Sequence, residues 1–483
     1  MNEKSKNLTI NAKVSNNLST LQDPGYLDNN GWQTMKADIL LVYRFNFAPV
    51  ASNMSEHISS FLNYSRFKAW KVNTELGFPE FLNDYQFKVI ILHYSLFGWL
   101  PFSLTEDFLS YIGQSRDSYK VAFFQDEYRW WPERASILDR CDVDCVYTCV
   151  EPDHYKDTYQ KYTKVPKIRT YIPGYVSNEM LAWASESVKP DGERGVDIGY
   201  RGRRSYHYMG KEAQEKHEIG VIFKERCKDL DLTLDIETEE NKRIYGKRWI
   251  EFLANCRATL GVEAGVSIFD TDNTVFPQYE KLIAEKPDIT FQEAYERLLH
   301  KYDGKGVRYR TISPRVFEAA AVRTCQILYE GTYSGILEPM VHYIPLKKDL
   351  SNFDDVIRMY RDDNLRQTLT DNAYRDLIAS GKYSYKAFMA KFDEELMREG
   401  INPGTVEATV SNKITVALGR FQKTKLFQNK LKRIRTGIYI RTLRLFDFVR
   451  YKFKRIRTGI YIRTLRLFDF VRSCAKRILF FRG

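Results

Sequence analysis

The sequence predicts an α/β chain of two parallel-sheet domains facing a cleft, followed by a basic helical tail. Three observations predict it. The chain has 483 residues, 43% hydrophobic and 28% charged, too many for one ordinary core and enough for two or three at roughly 150 residues each. Short apolar runs of strand type alternate with segments of helical period, as parallel strands do when helices cover both faces of their sheet. The alternation pauses once, at 185–195 (SESVKPDGERG), a polar stretch with one proline and two glycines that suits a link between domains.

Residues 1–36 are rich in Asn, Ser and Lys and read as a polar lead-in. In the first domain, 37–184, strands are expected at Ile39–Tyr43, Lys88–Leu92, Lys120–Phe124, Val143–Val150 and Ile168–Ile172, with helices at Leu104–Ile112, Pro132–Arg140 and Asp153–Tyr162. The second, 185–398, repeats the pattern with strands at Val196–Tyr200, Leu232–Ile236, Ala258–Val262, Cys325–Tyr329 and His342–Leu346. Its helices are expected at Lys211–Asp229, Lys247–Asn255, Pro314–Val322, across Asp354–Ser380 and at Tyr385–Arg398, with a longer insertion at Asp270–Arg310. Both domains are Rossmann-like, and ligands of such sheets sit at the carboxyl ends of the strands.

Charge divides the chain in the same way. The total is 74 Lys+Arg against 62 Asp+Glu, or +12. From Arg420 onward there are 20 basic residues and only Asp447 and Asp469 as acids, so the tail carries +18 and the body −6. An acidic body argues against a nucleic-acid-binding core, and no nucleic-acid partner is expected. Seven cysteines, an odd number, do not form a disulfide framework. Cys145 and Cys149 lie in an apolar run, with Cys141 just before it, and no other ligand stands at zinc spacing, so they read as buried thiols. No signal-peptide core follows Met1, and the longest apolar stretch, 89–102, is too short to span a bilayer. A cytoplasmic location is expected.

Several residues after the strands have ligand chemistry. Arg201 and Arg203 flank a glycine ahead of the helix near Lys211 and suit an anionic diphosphate, or else form a solvated turn. Glu263 suits hydroxyl groups, Gly265 permits close backbone approach, and Ser267 completes that segment. Pro314 opens a helix that places Arg315 and Glu318 on one face, either as ligands or as an exposed ion pair. Ser334 and Gly335 lie in a glycine-containing turn after the next strand.

The helix 317–324 (FEAAAVRT), the strand and loop after it, and 342–349 (HYIPLKKD) resemble the donor half of a GT-B glycosyltransferase. Residues 200–203 (YRGR) and 263–270 (EAGVSIFD) are similar to segments of the same bacterial proteins, those grouped with family 4 and the spore-maturation type. The likeness covers about 196–398 well and 38–178 more loosely. It implies that Glu318 binds the nucleotide ribose, that Arg201 and Arg203 face the diphosphate, and that Ser334 and Gly335 lie near phosphate or sugar. Family 4 generally carries another glutamate eight positions before that of Glu318, where this chain has Arg310.

Transfer to a hydroxyl needs a proton acceptor if the reaction inverts. Asp126 is the first choice, with Glu127 and His93 beside it at strand ends; the bland alternative is a turn cap and a core histidine. Asp270-Thr-Asp272 matches a metal-chelating pattern of the other large glycosyltransferase fold, but GT-B enzymes generally do not need that ion, so neither metal nor other cofactor is expected.

The domain 399–483 contains a 19-residue duplication, 432–450 and 454–472, spaced 22 residues apart, near six helical turns. Arg433, Arg435, Arg441 and Arg444, repeated as Arg455, Arg457, Arg463 and Arg466, interleave with apolar residues, as in a helix lying on an anionic membrane surface. The alternatives are a tail that binds nucleic acid, or one that binds a partner or is poorly ordered. The expectation is a glycosyltransferase that uses a nucleotide-sugar donor and a sugar or lipid-linked acceptor in cell-surface polysaccharide or glycolipid assembly. It is placed at the inner face of the cell membrane. The alternatives are a non-catalytic nucleotide-sugar scaffold and a nucleotide-sugar epimerase.

Overall fold

The computed structural model describes residues 35–45, 52–404 and 406–455, without the side chains of 35–36, 52 and 432–455. The polar lead-in up to residue 34 lies outside these residues, as do Arg457, Arg463, Arg466 and most of the second repeat.

The first sheet is all parallel and runs β2-β1-β3-β4-β5-β6. Its strands are β1 (Met35–Tyr43), β2 (Ala69–Asn73), β3 (Tyr85–Leu92), β4 (Tyr119–Phe123), β5 (Cys145–Thr148) and β6 (Lys167–Thr170). The central strands are buried on both faces, with Ile39 to Val42 and Val89 to Leu92 at zero or near-zero exposure. That is why they read as unbroken apolar runs. Edge strand β2 alternates instead, with Trp70 and Val72 inward and Lys71 less buried between them, and the sequence reading missed it. The helix expected over Asp153–Tyr162 is a 3₁₀ turn at Pro152–His154 and a short helix at Tyr159–Tyr162. Non-helical backbone at Thr158 separates them.

The second sheet contains β7 (Val196–Arg201), β8 (Leu234–Glu237), β9 (Cys256–Gly261), β12 (Cys325–Tyr329) and β13 (Ile344–Leu346). A separate antiparallel pair is formed by β10 (Ala264–Val266) and β11 (Tyr309–Thr311). The order β13-β12-β9-β7-β8 is again wholly parallel. The chain leaves β7 for β8 on one side and returns to β9 on the other, so the switch point lies between β7 and β9. Two parallel α/β sheets facing a cleft are therefore observed, as the sequence predicts.

The insertion between β10 and β11 contributes helices Val275–Glu285 and Phe291–Arg297. It leans on the first domain through Asn273 to Glu133 (2.9 Å to both oxygens), Asp270 N–H to Tyr128 O (2.8 Å) and Trp131 against Phe269. Arg129, caged by Trp99 and Trp130, donates to Tyr208 Oη at 2.7 Å across the same seam.

Helix Tyr385–Arg398 follows the second sheet in sequence but packs on the first. It sends Phe388, Met389, Phe392 and Leu396 into that core. Asp393 accepts from Ser65 Oγ and Arg66 N–H, and Glu395 pairs with Arg169. Helix Ala408–Arg455 then docks on the same domain through Val410, Ile414 and Leu418. None of the described helices is long and apolar enough to cross a membrane.

Candidate functional site

A pocket opens at the β7/β9 switch point, lined by Tyr200, Gly202 and Arg203 after β7 and by Gly261 and Val262 at the end of β9. Helices Lys247–Ala254 and Arg315–Ala321 close it with Trp249, Ser313 and Arg315. An adjoining pocket shares Arg243, Trp249, Ser313 and Arg315 and adds Glu318 and, from the first domain, Asn53. The combined space runs from the switch point to the interdomain cleft.

Glu318 lines the adjoining pocket and is half-buried. The Trp249 indole N–H donates to Glu318 Oε2 at 2.6 Å. Burial raises the carboxyl above its usual range, with the indole bond and nearby Arg315 opposing the shift. Arg315 lies over the Trp249 ring at 4.9 Å and donates to Arg201 O. It forms no ion pair with Glu318 among the described contacts, which removes the exposed ion-pair alternative.

Three cations border this space without carboxylate partners among the described residues: Arg203, which is exposed, Arg315 and Lys216. Burial pushes Lys216 down to about 8; Asp126 opposes that shift, and Arg315, Arg203 and Arg310 add to it. A lysine left unpaired among other cations is poised for an anion. Gly202 fits here because a Cβ would meet the Lys216 carbonyl at 2.3 Å, so this turn can lie flat against the helix bearing Lys216.

Arg201 is placed differently from its neighbour. Its guanidinium pairs with Asp235 on β8 at 2.8 Å, donates to the Asp235 and Tyr200 carbonyls, and lies over Phe252 at 4.3 Å. It lines the adjoining pocket with its charge already paired to the sheet. The helix Lys211–Arg226 does not offer a free N-terminus either, because Glu212 N–H donates to Ser267 Oγ at 3.1 Å and Lys211 N–H to Asp303 Oδ1 at 3.3 Å. Ser267 is thus a helix cap that also bonds Asp303. Gly265, at φ +143°, makes its close approach to the Tyr309 carbonyl in the β10–β11 pair, where a Cβ would sit 1.9 Å away.

Glu263 is buried and fully engaged. Oε1 accepts from Thr332 N–H (3.1 Å), Thr332 Oγ1 (2.9 Å) and Tyr333 N–H (2.7 Å), while Oε2 takes Arg310 Nε at 3.1 Å. Successive backbone N–H groups of this kind form an anion-binding nest, and the nest is filled by the protein's own carboxylate. Tyr333, Ser334 and Gly335 all have positive φ, and Ser334 Oγ accepts from Ile312 N–H at 3.1 Å. Arg310 also meets Glu215 at 2.9 Å and Glu212 at 3.4 Å, and Lys348 reaches Glu215 at 2.6 Å. Where the resembled family has a glutamate, this chain has the centre of an ion cluster that holds the loop after β12.

In the first domain, Asp126 is exposed after β4, in left-handed backbone at φ 53°, with its N–H donating to Tyr309 Oη at 3.0 Å. The turn sends the next residue inward. Glu127 has no exposure and accepts from Thr148 Oγ1, and burial pushes it up to about 7. It faces the core rather than the cleft. His93 is equally buried: Nδ1 accepts from Ser95 N–H at 3.1 Å, and Nε2 lies 3.0 Å from His57 Nδ1. The Ser95 bond leaves Nε2–H on His93, which donates to His57. Burial pushes both imidazoles down, His57 to about 3. His93 is therefore a core histidine.

Asp270 caps the helix Val275–Glu285, accepting from the N–H groups of Thr274, Val275 and Phe276, and Asp272 also accepts from Thr274. This capping accounts for the Asp-x-Asp spacing. No group of three or more metal-ligating side chains occurs among the described residues. The six described cysteines are free and buried. Lys216 and Trp249 are the site residues that sequence reasoning missed. Trp249 reads as core on its amphipathic helix, and Lys216 is one of several Lys and Glu on its own, so neither carried a local signal.

No family model matches the sequence, and no curated protein matches it. Among solved structures, the chain is similar to Anabaena HepE in complex with UDP-glucose, at 10% identity over 75% of this chain and 99% of that one, with a TM-score of 0.41. It is similar to a glycosyltransferase from Rickettsia africae, at 12% identity over 75% and 98% of the two chains, with a TM-score of 0.42. It is also similar to sucrose-phosphate synthase from Thermosynechococcus elongatus, again at 12% identity over 75% and 98%, with a TM-score of 0.42. At TM-scores below 0.5 these likenesses bear on neither the site nor the activity.

Proposed function

We propose that the chain is a GT-B-type glycosyltransferase that binds a nucleotide sugar at the β7/β9 switch point and transfers the sugar to an acceptor in the interdomain cleft. The observation that carries this reading is a pair of adjoining pockets that together hold a half-buried carboxylate bonded to an indole and three cations without carboxylate partners among the described residues. Glu318 suits the ribose hydroxyls, and Arg203, Lys216 and Arg315 suit the diphosphate. In transfer, the acceptor oxygen bonds to the anomeric carbon as the carbon–oxygen bond to the diphosphate breaks. The diphosphate departs with the electron pair, and the cations stabilise the charge developing on it. For an inverting course, the hydroxyl proton passes to Asp126, the exposed carboxylate on the first-domain side.

A thermal-shift screen of nucleoside diphosphates and their sugars tests the reading, since a ligand of the folded state raises the apparent Tm. Binding followed by release of nucleoside diphosphate and a glycosylated product is expected. No stabilisation by any UDP-, GDP- or dTDP-sugar would refute it. Binding without turnover would favour a non-catalytic scaffold, the reading that Arg310 in place of a glutamate supports; an altered nucleotide sugar as the product would indicate epimerisation.

The acceptor belongs to cell-surface polysaccharide or glycolipid assembly, and the tail lies on an anionic leaflet at the inner face of the membrane. The helix Ala408–Arg455 supports this part. It docks by the face bearing Val410, Ile414 and Leu418, while Val416 (50% exposed) and Phe427 (62%) lie on the opposite face. Lys423 and Lys430 accompany that outward face, and Arg433, Arg435, Arg441, Arg444 and Arg455 continue along the helical backbone. An apolar stripe among basic residues suits anionic headgroups. Liposome flotation with and without residues 420–483 tests it, and equal binding by the shortened chain would overturn it.

A further inference from the structure

A second cleft of about 450 Å³ opens between the domains, beside the donor pocket: Thr311 and Ser334 line it, and Ser313, two residues along the same turn, lines the donor pocket. Its walls are Tyr171, Ile172, Tyr175 and Phe388 on the side of the first sheet, with Ile336 and Tyr383 also lining it. The Tyr175 and Phe388 rings stack at 4.6 Å.

Most of the hydroxyls along these walls are already engaged. Tyr171 Oη donates to Phe124 O at 3.1 Å, Tyr175 Oη accepts from Ile172 N–H at 3.4 Å, Thr170 shares a bond with Tyr155, and Thr311 shares one with Ser334. Arg310 at the edge is surrounded by its three carboxylates. Beyond the O–H groups of Tyr175 and Tyr383, the walls offer a polyhydroxylated ligand few uncommitted hydroxyls, whereas a hydrocarbon would gain burial against the aromatic rings.

The rim has the opposite character. Lys382 and Lys391 line it with no carboxylate partner among the described residues, and Glu151 is the only carboxylate lining the cleft. Other basic side chains nearby are paired, Lys167 with Glu399 and Arg169 with Glu395. An apolar cavity with two uncommitted ammonium groups at its mouth is complementary to an anionic amphiphile.

We propose that this cleft seats the lipid end of the acceptor, a phosphate ester of an apolar alcohol, with its hydrocarbon against the aromatic walls and its phosphate between Lys382 and Lys391. The word acceptor rests on the transfer reading; the binding does not.

The test is a thermal-shift and fluorescence titration of the full chain with farnesyl phosphate, farnesol and inorganic phosphate, each below its aggregation concentration. Farnesyl phosphate is expected to raise Tm, with the other two having little effect. Affinity should fall roughly tenfold in the exposed double variant Lys382→Glu/Lys391→Glu and persist in Lys382→Arg/Lys391→Arg. Equal stabilisation by farnesol, no response to farnesyl phosphate, or full affinity in the charge-reversed chain would each overturn the proposal, the last by placing the binding on the basic tail. A nucleoside diphosphate titrated in parallel keeps the two readings separate: its failure to bind counts against transfer, while the farnesyl phosphate result still decides the cleft.

Discussion

Trp249 donates its indole N–H to Glu318 at 2.6 Å, joining the two helices that close the donor site. The bond fixes a carboxylate that burial would otherwise drive toward its neutral form. Glu318→Gln should weaken nucleoside diphosphate binding by about 1.5–3 kcal/mol, roughly 10- to 100-fold. Isothermal titration measures it, and unchanged affinity would remove Glu318 from the site.

Lys216 gives donor binding a pH dependence. Its ammonium titrates at about 8 rather than near 10.5 because burial disfavours the charge. Diphosphate affinity should therefore be full below pH 7 and fall as pH rises through 8, by roughly tenfold in all. Lys216→Met should bind weakly at every pH and show no such step.

The His57–His93 pair should make the fold acid-sensitive. Both imidazoles are held neutral in the folded state, His57 down to about 3, against an ordinary value near 6.5 when unfolded. The unfolded chain therefore binds more protons, so stability is full above pH 6.5 and declines as pH falls toward 3. Urea midpoints at pH 7.5 and pH 5 should differ, and His57→Gln should reduce the difference.

Arg310 organises its cluster from the centre. Arg310→Met would leave Glu263 buried without its cation and Glu215 with Lys348 alone, a loss of about 3–5 kcal/mol. Arg310→Lys should recover part of it. Chemical denaturation measures both, and a neutral Arg310→Met would show that the cluster relaxes.

The sheets were legible because the central strands are buried on both faces. Cys325–Tyr329 and helix Tyr385–Arg398 appear with the boundaries that the pattern predicts. What the pattern missed was short or half-exposed: β2 with its alternation, helices Ser52–Asn63 and Asn178–Ser187, and the β10–β11 pair, whose three-residue strands are separated by the insertion. The site was legible as places more than as side chains. Strand ends located Arg203, Glu263 and Asp126, but direction depends on backbone turns that composition does not reveal. Adjacent residues Asp126 and Glu127 end on opposite sides of one left-handed turn. Arg201 and Arg203 likewise differ, one paired with Asp235 at the edge of the adjoining pocket and the other exposed in the donor pocket without a carboxylate partner among the described residues.

The return of Tyr385–Arg398 to the first sheet sets an order of assembly. Phe388, Met389 and Phe392 complete a core whose strands begin at residue 35, and Ile414 and Leu418 cover it later still. During synthesis the first domain emerges early, yet the cage around His57 lacks Tyr385 and Phe388 until most of the chain has left the ribosome. A nascent chain halted after the second sheet would carry that aromatic surface uncovered, an exposure that favours holding by chaperones until the last helices arrive.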